Sequence, residues 1–286
     1  MLYTPNASSQ IWTLDNFGTN PGATPGTSVT PGTSNAEGSW TEIISDANLT
    51  QDTYGFFLRV SDNAVATPTT GKNFLLDIGT DPAGGTSYAA IISNIVCGSA
   101  GPITAAGGHS FFFPIFIKAG TAIAARIQGS HGTATASRVG IKLYGQRSNP
   151  IAFPVGSFSE TIGTITNSNG VSFTPGNAAD GSWTSLGTTT NPMWWWNIAY
   201  QVDNGTITAE YTYIELAYGD GSNKHIIMER MHQGTTSEQT GSILNGNTNF
   251  FEAYCPVPAG ATLYIRGRCL NAPDTGYNAV AVGIGG

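Results

Sequence analysis

Hydrophobic and polar residues alternate over short stretches of this 286-residue chain, and clusters of Gly, Pro, Asn and Asp separate the stretches. This period of two is typical of β-strands buried on one face, whereas the 3.6-residue period of amphipathic helices is hard to find. The first half predicts strands near residues 10–14, 39–44, 54–60, 73–78, 88–96, 111–117, 121–128 and 138–144. The second half predicts strands near residues 156–163, 182–187, 193–202, 208–218, 224–231, 248–257, 261–269 and 278–284. The pattern therefore indicates an all-β protein.

The two halves repeat one another. The motifs FGT, SVTPG and GSWT at residues 17–19, 28–32 and 38–41 return as IGT, SFTPG and GSWT at residues 162–164, 172–176 and 181–184. Buried strand positions also match: Ile123 with Leu263, Val139 with Val280, Ile141 with Val282, and Leu143 with Ile284. Self-similarity of this kind indicates one fold present twice. We predict two tandem antiparallel jelly-roll-like β-sandwiches from an internal duplication, with Trp40 and Trp183 at matching positions.

The repeat also sets the predicted boundaries. We divide the chain into an extended N-terminal arm with first-unit lead-in (1–36), a first sandwich (37–147), a linker with second-unit lead-in (148–171) and a second sandwich (172–286). The first segment holds three Pro-Gly turns, which weaken strands, so we expect an arm that becomes fixed only against a partner. The linker begins with a short hinge, so we expect the sandwiches to lie end to end.

Composition narrows the classes of function. Charged residues make up 10% of the chain, against the roughly 25% usual in globular domains. The net charge of −7 and only 11 scattered Lys and Arg argue against nucleic-acid binding. The sequence shows neither a 20-residue apolar span nor a signal-peptide pattern, so we expect synthesis in a cytoplasm and no membrane partner.

Recognisable catalytic motifs are missing from the sequence, and we predict no catalytic, cofactor or metal site. The three cysteines form no CxxC pair, and the four histidines lack metal-ligand spacing. Carboxylates recur at two strand ends: Asp77 and Asp81 bracket Gly79, and Glu215 and Asp220 bracket Gly219. Ordinary Asp turns explain them best, and a calcium-binding loop stays open as the alternative.

Aromatic and arginine side chains supply the candidate interaction residues. A run of three indoles, Trp194, Trp195 and Trp196, should place rings on both faces of one strand, with Tyr213 on the next strand. These rings suit core packing with a subunit contact, or stacking against a glycan. Arg126 and Arg266 occupy equivalent outward positions, where each could pair with a local carboxylate or face a partner.

Three segments of the first unit carry a resemblance to a known class of proteins: LLDIGTDPAGGTSY at residues 75–88, IISN at 91–94 and FPIFIKAG at 113–120. They resemble a sandwich module of virion structural proteins from tailed bacteriophages. The resemblance implies a non-enzymatic place in the virion, made in the host cytoplasm, as a capsid decoration or cement protein or a head-vertex protein. It also implies other virion proteins as partners, with the arm as anchor, and we expect a homo-oligomer, a trimer. The alternatives are a tail, baseplate or fibre component that binds host glycan, and, more weakly, a secreted carbohydrate-active enzyme.

Overall fold

The computed structural model describes residues 11–16, 26–32, 36–62, 72–99, 109–129, 136–146, 154–163, 170–202, 211–233, 251–269 and 277–286. Every regular element in these residues is a β-strand, so the all-β prediction is confirmed. None of them forms a helix of the length and apolarity that a membrane crossing needs.

The first domain is an eight-stranded jelly roll with its first strand in two pieces. Its strands are β1 (Ile11–Asp15), β2 (Thr27–Val29), β3 (Thr41–Ile44), β4 (Phe56–Asp62), β5 (Lys72–Asp81), β6 (Ala89–Ser99), β7 (His109–Phe113), β8 (Ala122–Gly129) and β9 (Ser137–Gln146). One sheet has the order β1-β9-β4-β7, with β2 also on β9, and the facing sheet has the order β3-β8-β5-β6. All pairs are antiparallel.

The second domain repeats this topology. Its strands are β10 (Phe158–Ile162), β11 (Val171–Phe173), β12 (Gly176–Asn177), β13 (Thr184–Thr188), β14 (Met193–Val202), β15 (Tyr211–Gly219), β16 (Lys224–Gln233), β17 (Phe251–Val257), β18 (Thr262–Cys269) and β19 (Tyr277–Gly285). The sheets are β10-β19-β14-β17 with β11 on β19, and β12-β18-β15-β16 with β13 on β18. The prediction of tandem jelly-roll-like sandwiches is therefore confirmed.

The predicted arm needs correction where the structure describes it. Residues 11–15 and 27–29 are β1 and β2, and both pair with β9 at the edge of the first sheet. In the segment assigned to the linker and lead-in, β10 and the start of β11 pair with β19 in the same way. Both strands complete a sheet, because the edge of β9 would otherwise present unpaired backbone groups.

The matching of the last strands was wrong by one residue. Thr27 pairs with Val139 and the equivalent Val171 pairs with Ala279, so Val139 corresponds to Ala279 and not to Val280. A slip of one residue moves every side chain to the other face of a sheet. Ala279 and Ala281 consequently belong to the core of the second domain, whereas Val282 lies on the outer face.

That outer face packs against the first domain. Three β19 side chains, which we call the plug (Val280, Val282 and Ile284), lie in the hydrophobic core of the first domain, each at most 3% exposed. Strand β10 runs beside β6, where the hydroxyls of Ser159 and Thr161 donate to backbone carbonyls of β6. The predicted end-to-end arrangement is thus corrected: one face of the second domain covers the side of the first sandwich where β6 and β7 end its two sheets.

Candidate interaction surfaces

Arg126 is held by three local partners on the outer face of the first domain. Its strand alternates, so Ile127 points to the core while Arg126 stays partly exposed. Nε donates to Asp77 Oδ2 at 2.8 Å and Nη1 contacts Glu37 Oε2 at 2.6 Å. The guanidinium lies 4.5 Å from the ring centre of Trp40, within cation–π range. These contacts tie the lead-in before β3 to the neighbouring sheet.

The second domain contains the same constellation. Arg266 donates through Nε to Glu215 Oε2, its Nη2 lies 3.0 Å from Asp180 Oδ2, and its guanidinium lies 4.4 Å from the Trp183 ring. The hydrogen bond that Arg266 donates to Glu215 raises the pKa of Arg266 above its already high ordinary value. Each Arg faces its strand acid directly across the sheet, Asp77 opposite Arg126 and Glu215 opposite Arg266.

The two tryptophans of these constellations occupy equivalent places, as predicted. Trp40 directly precedes β3, which pairs with β8, and Trp183 directly precedes β13, which pairs with β18. Both arginines have the local carboxylate partner that their sequence pattern allowed for. Contact of either arginine with another molecule stays a prediction.

The three consecutive indoles have three different environments. Trp196 is fully buried in the second-domain core and its Nε1 donates to Cys255 O at 3.0 Å. Trp195 and Trp194 both pack against the first-domain core. Trp194 and Trp195 share one side of the strand, opposite to Trp196, because the register of β14 against β17 shifts between Met193 and Trp195.

Trp194 is the member of this run that pairs with an exposed ring. Its indole lies 6.0 Å from the ring of Tyr254, and Tyr254 is 59% exposed. Tyr254 is the most exposed large hydrophobic side chain among the described residues. An aromatic pair of this kind at a domain boundary suits an interface anchor or a sugar contact, and both roles stay predictions.

Trp195 forms part of the boundary between the domains, which we call the seam. Its indole meets the ring of Phe112 edge-on at 6.0 Å. Two polar side chains beside it bind the same first-domain residue: Asn197 Nδ2 donates to Phe112 O at 3.0 Å, and Phe112 N donates to Glu252 Oε1 at 3.2 Å. This seam could not be predicted from the sequence, since its partners lie 85 and 140 residues apart.

Tyr213 lies on the outer face of the second domain within a series of cation–aromatic pairs. The guanidinium of Arg268 is 4.9 Å from the Tyr213 ring, and Lys224 Nζ is 3.8 Å from the Tyr264 ring. Comparison of the repeats could have revealed this face. Positions 75, 124 and 128 of the first domain hold Leu, Ala and Gln where the second domain holds Tyr213, Tyr264 and Arg268.

The suggested calcium loop has its carboxylates bound to protein donors. Asp81 accepts from the backbone N–H groups of Ala83 and Ser87, both at 2.9 Å. Asp77 accepts from Asn94 N in addition to Arg126. Gly79 is not in a turn but within β5, where a Cβ would lie 2.7 Å from the Trp40 ring. The described residues hold no cluster of three or more metal-ligating side chains.

Comparison with known proteins returns likenesses of structure only. No protein-family model matches the chain, and no curated protein matches its sequence. A crystal structure of PNGF-II matches 96% of this chain at 9% identity and a TM-score of 0.40, and this chain spans about two thirds (66%) of that chain. The STIV MCP matches 96% of both chains at 10% identity and a TM-score of 0.38. The Cowpea mosaic virus top component matches 90% of this chain and 91% of that one at 8% identity and a TM-score of 0.33. Likenesses at these values carry no argument about function.

Proposed function

We propose that this chain is a non-enzymatic structural protein of a bacteriophage virion, acting as a capsid decoration or cement protein or at a head vertex. The observation that carries the proposal is the seam, because it joins two sandwiches into one body of fixed shape. The plug completes the first-domain core, and hydrogen bonds to β6 and β7 fix its register. A repeating particle lattice requires building blocks whose surfaces keep a constant relative position.

The low charge and the duplication support the same proposal. An uncharged polar surface, with 10% charged residues, allows copies to approach one another without strong repulsion. The repeated arginine constellations fix the lead-in before each sheet, which preserves the shape of both domains. Partners in this proposal are other virion proteins and further copies of the chain, as a homotrimer.

Labelling purified particles with antibody to this chain tests the proposal. We expect regularly spaced label on the head, together with a sedimentation mass of three chains for the isolated protein. Label confined to the tail would favour the alternative function, and particles without label would contradict both.

The alternative is a tail, baseplate or fibre component that binds host glycan, and the Trp194 and Tyr254 pair is the observation that favours it. Trp194→Ala separates the two functions. If the pair anchors a subunit contact, the variant should lose on the order of 2 kcal/mol or more of association free energy with no effect on any sugar. If it stacks on sugar, the oligomer should stay intact while glycan-array binding disappears. Tyr264→Ala, on the other sheet of the same domain, is the matched control, and we expect the first outcome.

A further inference from the structure

The backbone of Phe112 is bound from the second domain by two side chains that together replace a strand. Strand β7 is an edge strand, and edge strands present backbone groups that need partners. Glu252 accepts the Phe112 N–H and Asn197 donates to the Phe112 carbonyl. Glu252 of β17 and Asn197 of β14 lie directly opposite one another, so their side chains share one face of the sheet.

This arrangement leaves one acceptor without a donor. The Phe112 carbonyl can only accept, so it fixes the Asn197 amide with Nδ2 towards Phe112. Oδ1 of Asn197 is then a buried acceptor without a hydrogen-bond partner, in a side chain of a residue only 2% exposed. A buried polar atom left in this state destabilises the folded protein. The other buried side-chain polar atom without a partner among the described residues is Trp195 Nε1, and it does not bond to Asn197 Oδ1, so this oxygen still lacks a donor.

Glu252 lies directly opposite Asn197 and binds the same Phe112 backbone, so the acid form of its carboxyl offers a donor on that face. Burial raises the pKa of Glu252, and the hydrogen bond from Phe112 N and the positive charge of the chain's N-terminus oppose this to a smaller extent. The described groups around it are uncharged: Phe112 from β7, and Asn197 and Trp195 from β14. Among the described residues no lysine, arginine or histidine forms an ion pair with Glu252. Such surroundings favour the neutral acid.

We propose that Glu252 is held as a neutral carboxylic acid that donates its proton to Asn197 Oδ1, so that the two side chains clamp both backbone groups of Phe112. The clamp then consists of three linked hydrogen bonds, and every polar group in it has a partner. Loss of the proton places a carboxylate oxygen against an amide oxygen and weakens the seam. The contact between the two domains is therefore stronger at low pH, where Glu252 is protonated, and weaker at high pH.

The direction of the pH effect follows from linkage. The folded protein holds this proton more tightly than the unfolded chain, whose glutamate has its ordinary pKa of 4.5. Stability from the clamp is complete below that value and is lost as pH rises through the raised folded-state pKa. Within that window one proton changes the folding equilibrium by up to about tenfold per pH unit.

Glu252→Gln in the full chain tests whether the proton on Glu252 makes the clamp pH-dependent, because glutamine has the shape of the neutral acid and a fixed donor. We expect denaturant unfolding of the wild type to show stability falling with pH above 4.5, and we expect Glu252→Gln to abolish that fall. Glu229→Gln, at an exposed carboxyl of β16, is the matched control and should keep the wild-type slope. Asn197→Leu removes the acceptor and should lower the pKa of Glu252, as followed by carboxyl carbon NMR.

Three results would overturn the proposal. The first is a Glu252 carboxyl that titrates at or below its ordinary value, which would mean that another donor, Trp195 Nε1 or a buried water, meets Asn197 Oδ1. The second is a Glu252→Gln variant that keeps the wild-type pH slope. The third is an Asn197→Leu variant in which the titration of Glu252 is unchanged.

Discussion

Replacing Ile284 by alanine should destabilise the first domain, although Ile284 belongs to a strand of the second domain. Ile284 is a strand residue of the second jelly roll, yet its side chain is fully buried in the core of the first. Truncating a buried isoleucine to alanine costs about 2–5 kcal/mol, because contacts are lost and a cavity remains. We expect a value in that range, and we expect the loss to appear in the first domain.

Amide hydrogen exchange can assign the loss to a domain, since it reports opening free energies strand by strand. Ile284→Ala should lower the protection of β4 and β8 by the full amount while β15 and β18 keep most of theirs. Ile198→Ala is the matched control, because Ile198 lies on the inner face of the same sheet in the second-domain core. It should lower the protection of β15 and β18 directly.

The reasoning would be refuted if Ile284→Ala left β4 and β8 unchanged and loosened the second domain alone. Such a result would mean that the plug packs against the first domain without stabilising it. Equal losses in both domains for both variants would also contradict it, since the faces of the sheet would then be energetically indistinguishable.

Four further variants test other parts of the structure. Arg266→Lys keeps the charge but loses the fork between Glu215 and Asp180, so we expect a cost of about 1 kcal/mol in unfolding free energy and an unchanged oligomer mass in sedimentation. Gly79→Ala should displace the Trp40 ring and cost about 1–3 kcal/mol, visible as a lower Tm and altered tryptophan fluorescence. Removing residues 1–27 deletes β1 and should destabilise the first domain by on the order of 3 kcal/mol, at roughly 1 kcal/mol per ladder hydrogen bond. Removing residues 1–10 spares the pairing of β1 with β9, and lower occupancy of this variant on particles is expected if this end is an anchor.

Strand positions could be predicted because most strands have one buried and one polar face. Strand β18 is the clear case, with alternating buried and half-buried positions. The prediction failed at β19, where all nine residues are buried. Because both faces of β19 carry apolar residues, the period of two does not indicate which face belongs to the second-domain core. The sequence therefore could not show that Ala281, and not Val282, lies in that core. The same lack of contrast affected the run of three indoles.

The arginine constellations could have been predicted more fully than they were. Positions 77 and 215 both hold an acid, opposite Arg126 and Arg266. Comparison of the two repeats was therefore sufficient to predict that each arginine pairs with this acid. The seam could not be found that way. Its residues match nothing in the other repeat, because a contact between unequal faces requires the repeats to differ.

That difference limits how copies of the chain can meet. Pairing across the sheets places Gly140, Lys142 and Tyr144 of the first domain where the second domain has the plug. A charged lysine at the centre of this face cannot complete the core of another sandwich without a desolvation cost. The first domain of one copy therefore cannot insert this face into the core of another sandwich, as the second domain inserts the plug into the first domain. We expect contacts between copies to use other surfaces, and the exposed ring of Tyr254, supported by Trp194 at the end of the seam, offers one.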